Sequence, residues 1–376
     1  MGLHTTALPD FPWDSLAPFA ATARAHPGGI VDLSVGTPVD PTPALVREAL
    51  VAAADSPGYP TTHGTSELRE AVVAWFARTR GVPGLDPAAV LPTVGSKELV
   101  ATLPSWLGLG AGDAVVFPEP AYPTYDVGAL LAGATPVPAS DGGLAALRER
   151  SDVRLVWLNS PGNPDGRVLG VEQLAEIVAA AREVGALVVS DECYAELPWA
   201  PRWVAEGVPS VLDPRVTGGD PTGVLAVYSL SKRSNLAGYR AAFVAGDPAV
   251  VGRLLEARKH AGLIVPGPVQ AAMTAALADD AHVAEQRDRY AVRRELLAGA
   301  LEGAGYVVDG SEAGLYLWVR PEGGQDCWQT VADLAGQGIL VAPGSFYTGG
   351  PSEHVRVALT AADVRVREAA QRLLGA

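Results

Sequence analysis

The residues that could do covalent chemistry stand out by scarcity. Of 28 lysines and arginines only three are lysine: Lys97, Lys232 and Lys259. Arginine serves as a surface cation almost anywhere, but its guanidinium stays protonated and cannot form a Schiff base. Lys232 sits in Tyr228-Ser-Leu-Ser-Lys-Arg-Ser-Asn-Leu-Ala-Gly-Tyr-Arg240. Hydroxyls flanking a lysine where a strand ends, with Arg240 eight residues on, suit an anion site beside a reactive amine. Read alone, the same turn also suits a solvated Ser/Lys loop. Asp191 closes the apolar run ending Val189-Ser-Asp-Glu-Cys-Tyr194. A carboxylate there needs a cation or an N–H partner. A protonated ring nitrogen of a ligand is one such partner, and the N-terminus of the next turn is another. Asn159-Ser-Pro-Gly-Asn163-Pro164-Asp-Gly166 is either an ordinary proline-rich loop or a rigid mount for an amide donor.

Positioning these groups falls to alternating elements. Strands are expected at Ile30–Val35, Val90–Val94, Ala114–Phe117, Leu155–Asn159, Ala186–Ser190, Val224–Tyr228 and Ala241–Ala245. Helices are expected at Ser66–Thr79, Lys97–Leu107, Val171–Val184 and Pro248–His260. The alternation predicts βαβ units, a mainly parallel sheet and helices on both faces. The pattern changes after about residue 280. A long charged helix, Val283–Gly303, precedes strands at Tyr306–Val308, Gly314–Val319, Ile339–Val341 and Val355–Leu359, with helices near Cys327–Ala335 and at the end. This predicts a smaller α+β domain.

Composition narrows the function. With 376 residues the chain is long enough for two or three domains, and 48% hydrophobic residues exclude disorder. A net charge of −14 argues against a nucleic-acid or anionic-membrane surface, while leaving room for a local cationic pocket. Cys193 and Cys327 lie far apart, which predicts a reduced, cytoplasmic protein. Met1–Asp14 has neither a basic nor an apolar leader segment. The uncharged run Ala261–Ala278 contains Pro266, Pro268 and Gln270 and reads as a buried helix start, not a membrane span. P-loop, nucleophile-elbow and HExxH patterns are absent, and the six histidines lack metal-site spacing, so no metal is expected.

Taken together, the three segments resemble the fold-type I, class I/II aminotransferases, which carry N-x-x-NP-x-G, [SP]DE-x-Y and SxSKxxxxxGxR in that order. The likeness runs from Val35-Gly36-Thr-Pro38 to His354-Val-Arg356. It implies an α/β fold-type I PLP-transferase: a large cofactor domain, 38–272, with a mainly parallel seven-stranded sheet, and a small α+β domain from 1–37 and 273–376. The implied cofactor is pyridoxal 5′-phosphate. By resemblance Lys232 is its Schiff-base lysine and proton carrier, Asp191 the partner of its ring nitrogen, and Asn163 and Tyr194 the partners of its ring hydroxyl. Tyr122 stacks on the ring. Gly95, Ser96, Lys97, Ser229 and Arg240 form the phosphate cup, and Tyr59 reaches the phosphate of the other subunit, implying a homodimer. Arg356 clamps the substrate α-carboxylate, with Gly36 as a backbone contact. Asp165 replaces the family's usual threonine in NPTG and is expected to cap the same turn.

Asp10–Leu16, Leu33–Pro41, Ser229–Leu236 and Glu312–Trp318 resemble one subgroup, the succinyldiaminopimelate aminotransferases of actinobacteria. The implied reaction moves an amino group between glutamate/2-oxoglutarate and N-succinyl-2-amino-6-oxopimelate, in diaminopimelate and lysine synthesis. An aminotransferase for aromatic or neutral amino acids and a carbon–sulfur lyase are the alternatives on the same fold. A cofactor-sensing regulator would need an N-terminal DNA-binding domain and is not expected, since the core is expected to begin by about residue 30. Arg24, Arg233 and the Phe11–Trp13 segment are candidates by position for the distal end of the substrate.

Overall fold

The computed structural model describes residues 8–375, so the expectation that Met1–Asp14 is no leader falls partly outside it. Seven strands make one sheet: β2 (Val90–Val94), β3 (Ala114–Pro118), β4 (Thr135–Ala139), β5 (Val153–Asn159), β6 (Leu187–Asp191), β7 (Val224–Ser229) and β8 (Ala241–Gly246). Their spatial order is β2-β8-β7-β6-β5-β3-β4. From β7 to β4 every pairing is parallel, while β8 runs against both its neighbours. Side chains alternate across the pleat. Val156, Val188 and Ala226 enter one core layer, and Leu155, Trp157, Val189, Leu225 and Val227 enter the other. Both faces are buried, which is why these strands read as unbroken apolar runs.

The covering helices follow from sequence periodicity. Ser66–Thr79 buries Leu68, Val72, Trp75 and Phe76, and Thr65 caps it by accepting from the Leu68 N–H at 3.2 Å. Val171–Val184 buries Leu174, Ile177, Val178 and Ala181, and ends on Gly185 in the left-handed region. Gly267–Ala278 is a partly buried helix, as its apolar sequence predicts. Among the described residues no helix is long and apolar enough to cross a membrane.

A second, antiparallel sheet is built from β9 (Tyr306–Asp309), β10 (Tyr316–Pro321), β12 (Ala342–Pro343) and β13 (Val355–Ala358), in the order β12-β13-β10-β9. The 23-residue helix Ala281–Gly303 and the final helix Asp363–Leu373 pack together beside it.

Two expectations are corrected. The segment Ile30–Val35 supplies no strand to the large sheet. Only β1 (Val31–Asp32) is extended and paired, with β11 (Ile339–Leu340), after which the chain bends toward the site. The seventh place in the large sheet goes to β4, whose sequence Thr-Pro-Val-Pro-Ala reads poorly as a strand. It is an edge strand, where the missing proline N–H groups cost no central ladder bond.

Candidate active site

Parallel strands end together, so the segments that leave them meet at one edge of the sheet. Here Asn159 at the end of β5 is in register with Asp191 at the end of β6, and Ser229 ends β7. They open onto a cavity of about 470 Å³ whose lining includes Gly36, Ser96, Lys97, Tyr122, Asn163, Asp191, Tyr194, Ser229, Lys232, Arg240 and Arg356. Eleven of the thirteen expected site residues therefore converge. Gly95 stands immediately behind, as the cap of the helix Ser96–Trp106. Tyr59 is not among the lining residues and is fully exposed.

Lys232 follows β7 in the single turn Leu230–Arg233, which Ser229 caps by accepting from the Ser231 N–H at 3.2 Å. Its Nζ donates to the Gly36 carbonyl. Burial holds its amine below the usual lysine range, and the nearby Arg356 and Arg240 charges push the same way. A lowered lysine pKa leaves more of the amine unprotonated and nucleophilic at neutral pH.

Asp191 accepts from the Tyr125 hydroxyl at 3.0 Å and from the Cys193 N–H at 3.2 Å. Among the described residues no cation pairs with it, and burial raises its pKa despite both hydrogen bonds. An uncompensated carboxylate of this kind asks for a cationic partner inside the cavity.

The same cavity has the makings of an anion cradle. The helix Ser96–Trp106 presents its N-terminal N–H groups, with Ser96, Ser229 and Ser231 beside them. Gly95 has φ of 80°, and a Cβ there would run into the Arg240 guanidinium. Arg240 itself ends the turn Ala237–Tyr239 at φ of 54°, a conformation uncommon for a side-chain-bearing residue. The lining thus fits a ligand that carries both a cationic ring nitrogen, for Asp191, and a phosphate, for the serines and Arg240.

Arg356 reaches in from β13. Its Nη1 donates to Asn163 Oδ1 at 2.9 Å and its Nη2 to the Ser34 carbonyl at 2.7 Å. Nε has no partner among the described residues. Because Asn163 Oδ1 is taken, the Asn163 amide N–H groups remain to donate into the cavity. Asp165 Oδ1 accepts from the Arg167 N–H at 3.2 Å, the turn-capping part expected of it.

Several positions differ from expectation. The Lys97 ammonium, expected at the phosphate, lies over the Phe11 and Tyr122 rings at 5.4 and 5.6 Å from their centroids. Arg233 is fully buried against Glu196 at 3.0 Å and does not line the cavity, while Arg24 is exposed. Phe11 and Trp13 do line it. Tyr125 and Tyr316 line it too, although sequence reasoning does not reach them. Tyr122 precedes the helix Thr124–Ala132 and Tyr125 lies in its first turn, so no helical periodicity pairs them in the sequence.

The family model for aminotransferase class I and II matches residues 29–373. The chain is 58% identical to the 4-dedimethylamino-4-oxo-anhydrotetracycline transaminase OxyQ of Streptomyces rimosus, over 97% of this chain and 99% of that one. It is 59% identical to the probable aminotransferase Rv1178 of Mycobacterium tuberculosis, over 98% and 86% respectively. An LL-diaminopimelate aminotransferase of Nostoc is 32% identical over 92% and 90%. Among solved structures, an aminotransferase from Staphylococcus aureus superposes with a TM-score of 0.87 at 26% identity, covering 99% of this chain and 98% of that one.

Proposed function

This chain belongs to the class I and II aminotransferases, which work with pyridoxal 5′-phosphate, and from that premise we propose that it transfers an amino group between glutamate/2-oxoglutarate and N-succinyl-2-amino-6-oxopimelate. The observation that carries the choice of a multiply acidic substrate is a pair of separate cations on one cavity. Arg356 lies deep, beside Asn163, and suits the α-carboxylate as a planar fork. Lys97 lies on the Phe11 and Tyr122 rings and suits a remote carboxylate. The 32% identity to LL-diaminopimelate aminotransferases supports the same substrate class. We place the enzyme in the cytoplasm, as a homodimer in which the exposed Tyr59 serves the neighbouring subunit's phosphate cradle.

When bound, pyridoxal phosphate supplies the carbon that takes up the amino group and a ring that draws electrons from the substrate Cα. Lys232 Nζ would hold the cofactor covalently at rest and would then carry the proton at the substrate Cα. Asp191 would keep the ring nitrogen protonated. Asn163 and Tyr194 would donate to the ring oxygen, and Tyr122 would cover the ring face. Ser96, Ser229, Arg240 and the helix N-terminus would hold the phosphate.

Because both half-reactions use one carboxylate site, Arg356→Lys is expected to raise KM for amino donor and oxo-acid acceptor together. Lysine keeps the charge but loses the parallel N–H pair, a cost of about 1.5–3 kcal/mol, or roughly ten- to a hundredfold. Steady-state kinetics with each substrate varied in turn check this; an effect on one substrate alone would move Arg356 to the distal group.

The 58% identity to a transaminase named for a tetracyclic ketone favours a second reading, in which the acceptor is a polycyclic ketone. Single-turnover profiling separates the two. The cofactor band is followed after adding glutamate, N-succinyl-LL-diaminopimelate, aromatic amino acids or the aminated tetracycline precursor. Rapid conversion by the first two is the expected result. Conversion by the tetracycline amine with none by the succinylated diamine would replace the proposal with the second reading.

A further inference from the structure

Tyr316 has no part in the roles above, yet three observations meet on it. Its ring lies against the Arg356 guanidinium, with the guanidinium carbon 3.9 Å from the ring centroid. Its hydroxyl lies 3.2 Å from the Tyr194 hydroxyl, the rings edge to face with centroids 5.7 Å apart. Gly36 faces the same hydroxyl: a Cβ at Gly36 would fall where the Tyr316 oxygen stands. The Gly36 carbonyl is in turn the partner of Lys232 Nζ. One phenol therefore touches the carboxylate clamp, the ring-oxygen partner and the turn that faces the amine.

We propose that Tyr316 is a positioning residue linking Arg356 to Tyr194. Its ring holds the guanidinium that receives the substrate carboxylate. Its hydroxyl donates to the Tyr194 oxygen, so that the Tyr194 proton is free for the cofactor's ring oxygen.

A tyrosine hydroxyl has one proton and two lone pairs. If Tyr194 gives its proton to the cofactor, it must accept from its neighbour. Tyr316 is the better donor of the two. Burial opposes its ionisation, but the Arg356 and Lys232 charges outweigh burial and hold it below the usual tyrosine range. Burial pushes Tyr194 well above that range. Consecutive hydrogen bonds polarise one another, so Tyr194 with Tyr316 behind it is a stronger donor than Tyr194 alone. The other titratable groups facing the pair are Lys232, Cys193, Arg356, Tyr347 and Tyr290. Burial holds Cys193, Tyr347 and Tyr290 above their usual ranges, and Arg356 stays charged. A titration near neutral pH in the holoenzyme therefore reports the cofactor's link to Lys232.

The test is a pH titration of the holoenzyme's visible absorption band, with KM measured alongside. Tyr316→Phe keeps the ring and removes the hydroxyl. Less support for the negative ring oxygen makes the shared proton harder to remove. The band's midpoint should rise by about half a unit to one unit, a three- to tenfold change in proton affinity, with KM near that of the parent. In a Tyr194→Phe background the same substitution should add no shift, because the hydroxyl acts through Tyr194. Tyr316→Leu also removes the ring and should raise KM for both substrates by about five- to thirtyfold. The inference rests on the roles proposed for Arg356 and Tyr194. An unshifted Tyr194→Phe band would sink the Tyr194 role and this inference with it. A shifted Tyr194→Phe band beside an unshifted Tyr316→Phe band would overturn this inference alone. So would a Tyr316→Phe shift that persists in the Tyr194→Phe background, or a Tyr316→Leu variant with unchanged KM. Phenylalanine fills the same volume, and matched melting curves confirm that the comparison is between folded proteins.

Discussion

Lys232→Ala is expected to abolish turnover, with a loss of at least about 10⁴-fold, and to remove the covalent, borohydride-trappable attachment of the cofactor. Both roles proposed for this amine would leave with it: the covalent hold on the cofactor and the proton carrier at the substrate Cα. No neighbour can substitute. Lys97 is drawn over the Phe11 and Tyr122 rings, and Lys259 is paired with Glu256 on an exposed helix face. Arg240 and Arg356 carry guanidinium groups, which cannot form a Schiff base. The loss should come without loss of fold. Because burial lowers the folded-state pKa of Lys232, the unfolded chain binds this proton more readily than the folded chain below the usual lysine range. The cofactor-free parent therefore gains stability as pH rises toward that range, and the alanine variant should lack this dependence. Peptide mapping after borohydride treatment checks the attachment, and melting curves of cofactor-free protein between pH 7 and 10 check the fold. Cofactor trapped on Lys97 or Lys259 in the parent would show that Lys232 is not the attachment residue.

The parts of the site that are legible in sequence are those held by local chain geometry. Asp191 and Ser229 end strands, and Asn163 and Lys232 lie in the turns that follow β5 and β7, so their positions relative to the sheet are set within a few residues. The register that places Asn159 beside Asp191 follows from two adjacent parallel strands with apolar interiors. The hidden parts depend on partners far along the chain. Arg233 differs from Lys232 by one position, yet it is buried away from the cavity and neutralised by Glu196. Nothing in the string Ser-Lys-Arg-Ser reveals that carboxylate. Tyr316 acquires its setting only because β10 pairs with β13, which puts Trp318 opposite Arg356 and Tyr316 opposite Ala358. Its partners Tyr194 and Gly36 come from elements more than a hundred residues away. The edge strand Thr135–Ala139 is disguised by its prolines, which weaken strand propensity but are harmless where one side of the ladder is open.

Asp191→Asn should separate catalysis from folding at the floor of the cavity. Asparagine has the same shape and can still accept from the Cys193 N–H, so the change removes little but the negative charge. In the role proposed for it, that charge would pair with the cofactor's ring nitrogen and would keep the nitrogen protonated. Its loss is expected to lower kcat by about 10²–10³-fold, the scale of removing one preorganised electrostatic partner of a transition state. KM should change far less, because the substrate carboxylate is proposed to bind at Arg356, beside Asn163. The cofactor-free protein should respond in the opposite sense. Burial raises the Asp191 pKa in the folded chain, so the folded state binds this proton more readily than the unfolded one. That contribution favours folding at acid pH and is lost as pH rises through the folded-state value, leaving an unpaired carboxylate that opposes folding at neutral pH. Removing it should leave the cofactor-free variant at least as stable as the parent at pH 7–8, while the extra stability gained on adding pyridoxal phosphate shrinks. Stopped-flow half-reactions and paired melting curves with and without cofactor give both numbers from one preparation. Normal turnover would remove Asp191 from the ring nitrogen. A cofactor-free variant markedly less stable than its parent would mean that Tyr125 and Cys193, not an incoming cation, already satisfy the carboxylate.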